Sequence, residues 1–290
     1  MLCNMCPRKC NIDRSEKTGF CGMKDKIRMA RAGLHFWEEP CISGEKGSGT
    51  VFFSGCPLKC VYCQNSDISS GAFGKDIATE RLAEIFRELE EKGAHNINLV
   101  TPTHYSEQIL KALEIYRPGI PVVYNCSGYE SVETLKKFEG IVDIYLTDIK
   151  YFDSEVSGKY SKAPDYFEIT SQAVKEMLCQ QPENVFDDNG IMQKGVIIRH
   201  LVLPLNLTQT RKIFQWIKDE LGEKVIISLM SQYIPVGKAC EYKEINRRLT
   251  TREYEKALDM FEEFGFENGF MQELSSSKEY YIPPFNLEGV

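Results

Sequence analysis

From about residue 50 onward the chain alternates short, β-rich apolar runs with amphipathic segments, and this rhythm constrains the fold more than any single residue. The runs are "TVFFSG" (50–55), "NINLVT" (96–101), "PVVYNC" (121–126), "VDIYLTD" (142–148), "GVIIRHLVL" (195–203) and "KVIISLM" (224–230), with a weaker seventh, "NGFMQEL" (268–274). Between them, Leu82, Ile85, Phe86 and Leu89 share one helical face, as do Ile213, Trp216, Ile217 and Leu221; Ala257, Leu258 and Phe261 mark a last helix. Near-continuous apolar strands separated by helices predict an α/β fold with a parallel sheet covered by helices. Six or seven such units suit a partial (β/α)6-type TIM barrel.

Residues 1–48 do not follow the rhythm. They are rich in Cys, Lys, Arg and Gly and read as a small N-terminal lobe stapled by metal. The expected organisation is therefore a lobe over 1–48, a barrel over 49–274 and a C-terminal tail over 275–290, with "CISGEKGSGT" (41–50) as the joint. "QQPENVFDDNG" (180–190) reads as an exposed loop. Hydrophobic residues at 42% and two-signed charge at 27% belong to a globular protein. A net charge of −7 gives no reason to expect nucleic acid or an anionic membrane as partner. With no signal-peptide core and no apolar run long enough to span a bilayer, the expected location is the cytoplasm. In that reducing compartment, eleven cysteines point to metal or redox chemistry rather than disulfides.

"GCPLKCVYCQN" (55–65) places Cys56, Cys60 and Cys63 at C-x3-C-x2-C spacing directly after the first apolar run, with no fourth ligand. A cubane iron–sulfur cluster needs one thiolate per iron, so three cysteines leave one iron open for chemistry. The alternatives are a zinc knuckle borrowing a distant ligand, or unliganded thiols. The spacing, with Tyr62 in the aromatic slot, resembles the signature of the radical S-adenosylmethionine (SAM) superfamily. The resemblance implies a 4Fe–4S cluster whose open iron is chelated by the amino and carboxylate groups of SAM. One electron then cleaves SAM to methionine and a 5′-deoxyadenosyl radical. "HNINLVTPTH", "NCSGYES", "DIYLTDIKY" and "IIRHLVLP" extend the similarity toward the group of the pyruvate formate-lyase-activating enzyme.

What the resemblance implies for SAM follows the C-terminal ends of the strands, where β/α barrels hold their ligands. After the second run, Thr101, Thr103 and His104 stand where related enzymes meet the SAM amino group; helix capping by Thr103 or Ser106 is the structural alternative. Asn125 and Ser127 follow the third run, with Gly128 letting backbone approach the ligand. Lys150 is expected to place its charge on the SAM carboxylate, with Asp148 orienting it or the ribose. Strand alternation allows only one of Arg199 and His200 to face the lumen, and the resemblance favours Arg199. An ion pair of Lys150 and Arg199 with Asp148, needing no ligand, is the alternative. Gln232 or Tyr233 falls on the adenine side.

Cys3, Cys6, Cys10 and Cys21 form C-x2-C-x3-C-x10-C, which satisfies either tetrahedral zinc or an auxiliary iron–sulfur cluster; loose thiols, or a pairing that involves Cys41, are the remaining option. Cys126, Cys179 and Cys240 are expected to be unliganded, Cys126 lying nearest the site. The expected function is reductive SAM cleavage for hydrogen abstraction, fed by a flavodoxin- or ferredoxin-type electron donor. The target is a glycine of a partner glycyl-radical enzyme, or a small molecule or peptide modified directly. A zinc hydrolase finds no support in the spacing of His35, His95, His104 and His200. A metal-stapled, non-catalytic binding module is the other rival.

Overall fold

A computed structural model describes residues 2–222, 225–266, 268–273 and 283–290. Ten strands form among them: β1 (Ile27–His35), β2 (Ser48–Phe53), β3 (Lys75–Ile77), β4 (Ile97–Val100), β5 (Val122–Cys126), β6 (Ile144–Asp148), β7 (Val185–Phe186), β8 (Met192–Leu201), β9 (Ile226–Met230) and β10 (Gly269–Met271). They join one sheet in the order β10-β9-β8-β6-β5-β4-β2-β1-β3, with β7 paired to β8 off that path. Every neighbouring pair from β2 to β10 is parallel. β1 is antiparallel to both β2 and β3. All seven apolar runs thus supply parallel strands. The path has two ends, so among the described residues the barrel is open.

Strand alternation sorts the core into two layers. Val51, Leu99, Tyr124, Tyr145, Ile198 and Leu229 face outward and pack with Leu82, Phe86, Ile109, Val174, Phe214 and Phe261 of the covering helices. Each such burial contributes about 1.5–3 kcal/mol. The alternate positions Val123, Ile144, Leu146, Ile197 and Ile226 face the lumen. Cys41 and Ile42, in the short helix Pro40–Ser43, pack against them and plug the lumen from the end where β2 begins. Asn96 Nδ2 fastens the plug by donating to the Ile42 carbonyl at 2.8 Å.

Three segments differ from the sequence reading. Residues 27–35, expected in the lobe, form β1 and extend the main sheet. Residues 41–50, expected as a simple joint, carry the plug and the start of β2. The loop over 180–190 contains β7, whose Val185 and Phe186 are exposed. Of the tail expected over 275–290, residues 275–282 lie outside the described residues. The rest runs along β1, with Leu287 N donating to Ala30 O at 3.0 Å and Ala32 N to Glu288 O at 2.8 Å. Among the described residues no helix is long and apolar enough to cross a membrane.

Candidate active site

The parallel strands end together, and the loops beyond them enclose a cavity of about 250 Å³. Cys56, Cys60, Tyr62, Cys63, Thr101, Asn125, Ser127, Asp148, Lys150, Arg199 and Gln232 all line it. Thr103 and His104 do not. Residues 103–105 form a 3-10 turn that carries both side chains away from the cavity. Thr103 Oγ1 donates to Glu130 Oε1 at 2.7 Å. The His104 ring meets the Ser54 carbonyl at 2.7 Å through Nε2. Burial holds that ring neutral, lowering its pKa to about 3 despite the carbonyl. Gly128 sits at φ +79°, where an added Cβ would fall 2.3 Å from the Asp148 carbonyl, so its close approach is to β6. Cys126 lines the cavity and donates from Sγ to Thr147 Oγ1 at 3.4 Å.

The three cysteines follow β2 through Gly55, whose φ of +89° and contact with Met23 exclude a side chain. Each sulfur has a polar neighbour. Leu58 N donates to Cys56 Sγ at 3.4 Å, Ser161 Oγ to Cys60 Sγ at 2.9 Å, and the Ser69 hydroxyl lies 3.2 Å from Cys63 Sγ. Burial pushes the Cys56 thiol up strongly, with Cys60 and Cys63 adding to it. Burial likewise raises Cys60 to about 11, against the pull of Lys150. Behind Ser161 the hydroxyls continue: Tyr151 at 2.7 Å and then Tyr62 at 2.5 Å.

Below the cysteines lies a layer of charge. Arg199 Nε donates to Asp148 Oδ1 at 2.8 Å, Nη1 to Glu38 Oε2 at 3.1 Å and Nη2 to Asn125 Oδ1 at 2.6 Å. Lys150 also pairs with Asp148. Asn98 and Asn125 donate to Glu38 Oε1 at 3.3 and 3.2 Å. Burial would raise the Asp148 carboxyl, but Arg199 and Lys150 outweigh it and hold it below the ordinary range. Burial raises Glu38, opposed by Arg199. His200 faces the other way, toward Ile149 O and Thr210, as the alternation of β8 requires. The ion pairing read as an alternative to ligand binding is therefore present, and Arg199 still reaches the cavity. Glu38 escaped the sequence reading. It lies at the edge of the plug, and only the pairing of β1 with β2 brings it under Arg199.

A family model for the radical SAM superfamily matches residues 50–178. The uncharacterized protein MJ0674 of Methanocaldococcus jannaschii is 36% identical over 275 residues, which cover 91% of this chain and 75% of that protein. This chain belongs to the radical SAM superfamily. The pyruvate formate-lyase-activating enzyme of Clostridium pasteurianum is 25% identical over 246 residues, covering 78% of this chain and 92% of that enzyme. Among solved structures, Streptococcus suis SuiB bound to S-adenosylmethionine shares the fold, with a TM-score of 0.50 at 14% identity. That alignment covers 78% of this chain and 52% of SuiB, so the chain spans about half of SuiB's length.

Radical SAM membership implies a 4Fe–4S cluster and SAM, and the residues present fit both. Three sulfurs on one cavity, each beside a hydrogen-bonding group, are a donor set for a cluster with one open iron. Among the described residues Ser127 Oγ is buried at the cavity without a partner, as a residue awaiting a polar ligand would be. Glu38 and Asp148 pair with Arg199, and Asp148 also with Lys150, so the cavity layer sets two acids against two bases.

At the N-terminus, Cys10 and Cys21 sulfurs lie 3.8 and 3.3 Å from where a Gly19 Cβ would stand, so the glycine leaves room between them. Burial raises Cys6 to about 12, and Cys21 and Cys10 add to the rise. The segment is tied to the three-cysteine loop, since Cys56 N donates to the Cys21 carbonyl at 3.2 Å. Among the described residues no three His, Cys, Asp or Glu side chains gather closely enough to hold a single ion.

Proposed function

We propose that this radical SAM enzyme abstracts a hydrogen from a glycine on a flexible loop of a partner glycyl-radical enzyme. The observation that carries the reading is the similarity to a pyruvate formate-lyase-activating enzyme along 92% of that enzyme's length. SAM, when bound, supplies a 5′-deoxyadenosyl radical once it has received an electron. The chain's own residues do the rest. Cys56, Cys60 and Cys63 hold the cluster, Lys150 and Arg199 orient the SAM carboxylate, and Asn125, Ser127, Thr101 and Gln232 shape its seat. The open sheet supports a protein substrate, because a loop can enter from the side. Cys3, Cys6, Cys10 and Cys21 hold zinc or an auxiliary cluster in this reading, a flavodoxin- or ferredoxin-type protein donates the electron, and the enzyme works in the cytoplasm.

A second reading, direct modification of a small molecule or peptide, is favoured by the C-terminal segment. Pro283 lines the cavity, and Phe285 packs edge-on against Phe52 of its wall at 5.5 Å, so this segment narrows the mouth. Electron paramagnetic resonance of the reduced, SAM-loaded enzyme with candidate glycyl-radical partners decides between them. A persistent doublet that collapses on deuterating the partner's glycine supports activation. Turnover of a metabolite or peptide, with no radical on any partner, replaces it with the second reading.

A further inference from the structure

Of the four histidines, three have their rings engaged. His104 and His200 make the bonds described above, and His95 Nε2 accepts from Lys46 N at 3.3 Å. His35, the last residue of β1, differs. Its ring meets Phe52 edge-on at 6.2 Å and lines the cavity, yet among the described residues it makes no hydrogen bond. At 8% exposure it has little access to bulk water, so a partner for its ring nitrogens has to come from within the cavity. Burial lowers its pKa to about 4, and Arg31 adds to the fall. The ring is therefore neutral at physiological pH and offers one donor and one acceptor.

Trp37, Phe52, Ile68 and Pro283 line the same cavity. Phe52 packs with Ile68, and Phe285 meets Phe52 from the C-terminal segment. Glu38, next after Trp37, brings a carboxyl group, but Asn98, Asn125 and Arg199 already occupy both its oxygens. The residues assigned to the cluster and to SAM follow β2 or stand at the ends of β4, β5, β6, β8 and β9. His35 instead pairs with Ser48 at the start of β2, roughly 17 Å from Phe53 at about 3.3 Å per residue. We propose that this β1 side of the cavity is the substrate subsite, and that it takes an uncharged aromatic ring whose O–H or N–H donates to His35. The proposal rests on the function proposed above and names the chemistry of its substrate. Aromatic walls favour a ring over an aliphatic chain. A single neutral imidazole fixes the ring through one hydrogen bond, and with Glu38 committed this side does not call for a charged ligand. The same ring can arrive as a side chain of a peptide loop or as a free small molecule.

The test is calorimetric titration of the reconstituted, SAM-loaded full chain with 4-methylphenol and with 4-fluorotoluene, which has nearly the same shape but no O–H. His35→Phe should weaken 4-methylphenol by about threefold to tenfold and leave 4-fluorotoluene nearly unchanged, because only the first loses a hydrogen bond. His35→Gln, which keeps a donor and an acceptor, should recover part of that loss. Trp37→Ala, at a position 56% exposed, should weaken both probes alike by about tenfold. Should His35→Phe lower the thermal midpoint sharply, His35→Gln and Trp37→Ala decide. A wild type that binds neither probe overturns the proposal, as does a His35→Phe variant that treats the two probes alike or a Trp37→Ala variant that binds both like wild type. An acetyl-Gly-Tyr-Gly-amide peptide that binds more tightly than 4-methylphenol assigns the ring to a peptide; weaker binding assigns it to a free small molecule. Dithionite-driven 5′-deoxyadenosine formation by wild type without any probe reads the SAM chemistry alone, so the subsite and the radical SAM reading can fail separately.

Discussion

Ser161 Oγ donates to Cys60 Sγ at 2.9 Å, which commits the serine proton to a sulfur of the three-cysteine loop. Tyr151 must then donate to Ser161 and Tyr62 to Tyr151, so the aromatic of the cysteine motif ends a relay that returns to the motif's own second cysteine. A hydrogen bond to a cluster thiolate stabilises the more negative, reduced state. Ser161→Ala should therefore lower the cluster's reduction potential while leaving its iron content intact. Potentiometric titration followed by electron paramagnetic resonance measures this, and an unchanged potential would show that the bond does not reach the cluster.

Cys56→Ala, Cys60→Ala and Cys63→Ala should each abolish 5′-deoxyadenosine formation under dithionite, because in the proposed function each removes an iron ligand. Iron near zero in reconstituted wild type would sink the assignment.

Replacing Cys3, Cys6, Cys10 and Cys21 together should leave the catalytic cluster able to form but lower the thermal midpoint, since a closed metal site contributes folding energy. The Cys21 carbonyl that anchors Cys56 should loosen with it. Elemental analysis of wild type reads the metal: about one zinc and about four irons for a zinc site, against about eight irons for an auxiliary cluster.

Lys150→Ala and Arg199→Ala should weaken SAM by about tenfold to a hundredfold, each losing a charge-assisted hydrogen bond of about 1.5–3 kcal/mol. Arg199→Ala also leaves Glu38 and Asp148 short of their main countercharge, so it should be the less stable of the two. Normal SAM affinity with a lowered thermal midpoint would make the cation purely structural. Glu38→Gln keeps the shape under Arg199 and should change SAM affinity less than Arg199→Ala.

Glu130 is buried under the turn after β4, accepting from Thr103 and Tyr124. Burial raises its pKa to about 8, so the folded state holds a proton that the unfolded state releases near 4.5. Its contribution to stability is full below the unfolded value and is lost as pH rises through the folded one. Glu130→Gln should flatten the fall in thermal midpoint between about pH 5 and 8. Parallel wild-type and variant curves across that window would show that Glu130 does not titrate there.

The three-cysteine loop was legible in its spacing and the inward choice of Arg199 over His200 in the family resemblance, while the sequence pattern by itself determined the parallel strands and set those two side chains on opposite faces. Those properties follow from local periodicity: apolar continuity marks a strand buried on both faces, and a period of two assigns neighbouring side chains to opposite faces. Asp148 and Lys150 were legible through the same resemblance, carried by "TDIKY" at the end of the fourth apolar run. Thr103 and His104 were misplaced because a 3-10 turn begins just past β4, after Thr101 adopts a φ of +59°, and strand alternation no longer holds. Glu38 and the plug were invisible because their position depends on β1 pairing antiparallel to β2, a contact between segments with no shared local signal. The relay from Tyr62 through Tyr151 and Ser161 to Cys60 likewise joins residues about a hundred apart, as the Ser161–Cys60 bond shows with a separation of 101. Tertiary structure decided such matters because hydrogen bonding between distant side chains depends on how the chain returns on itself, which no local pattern records.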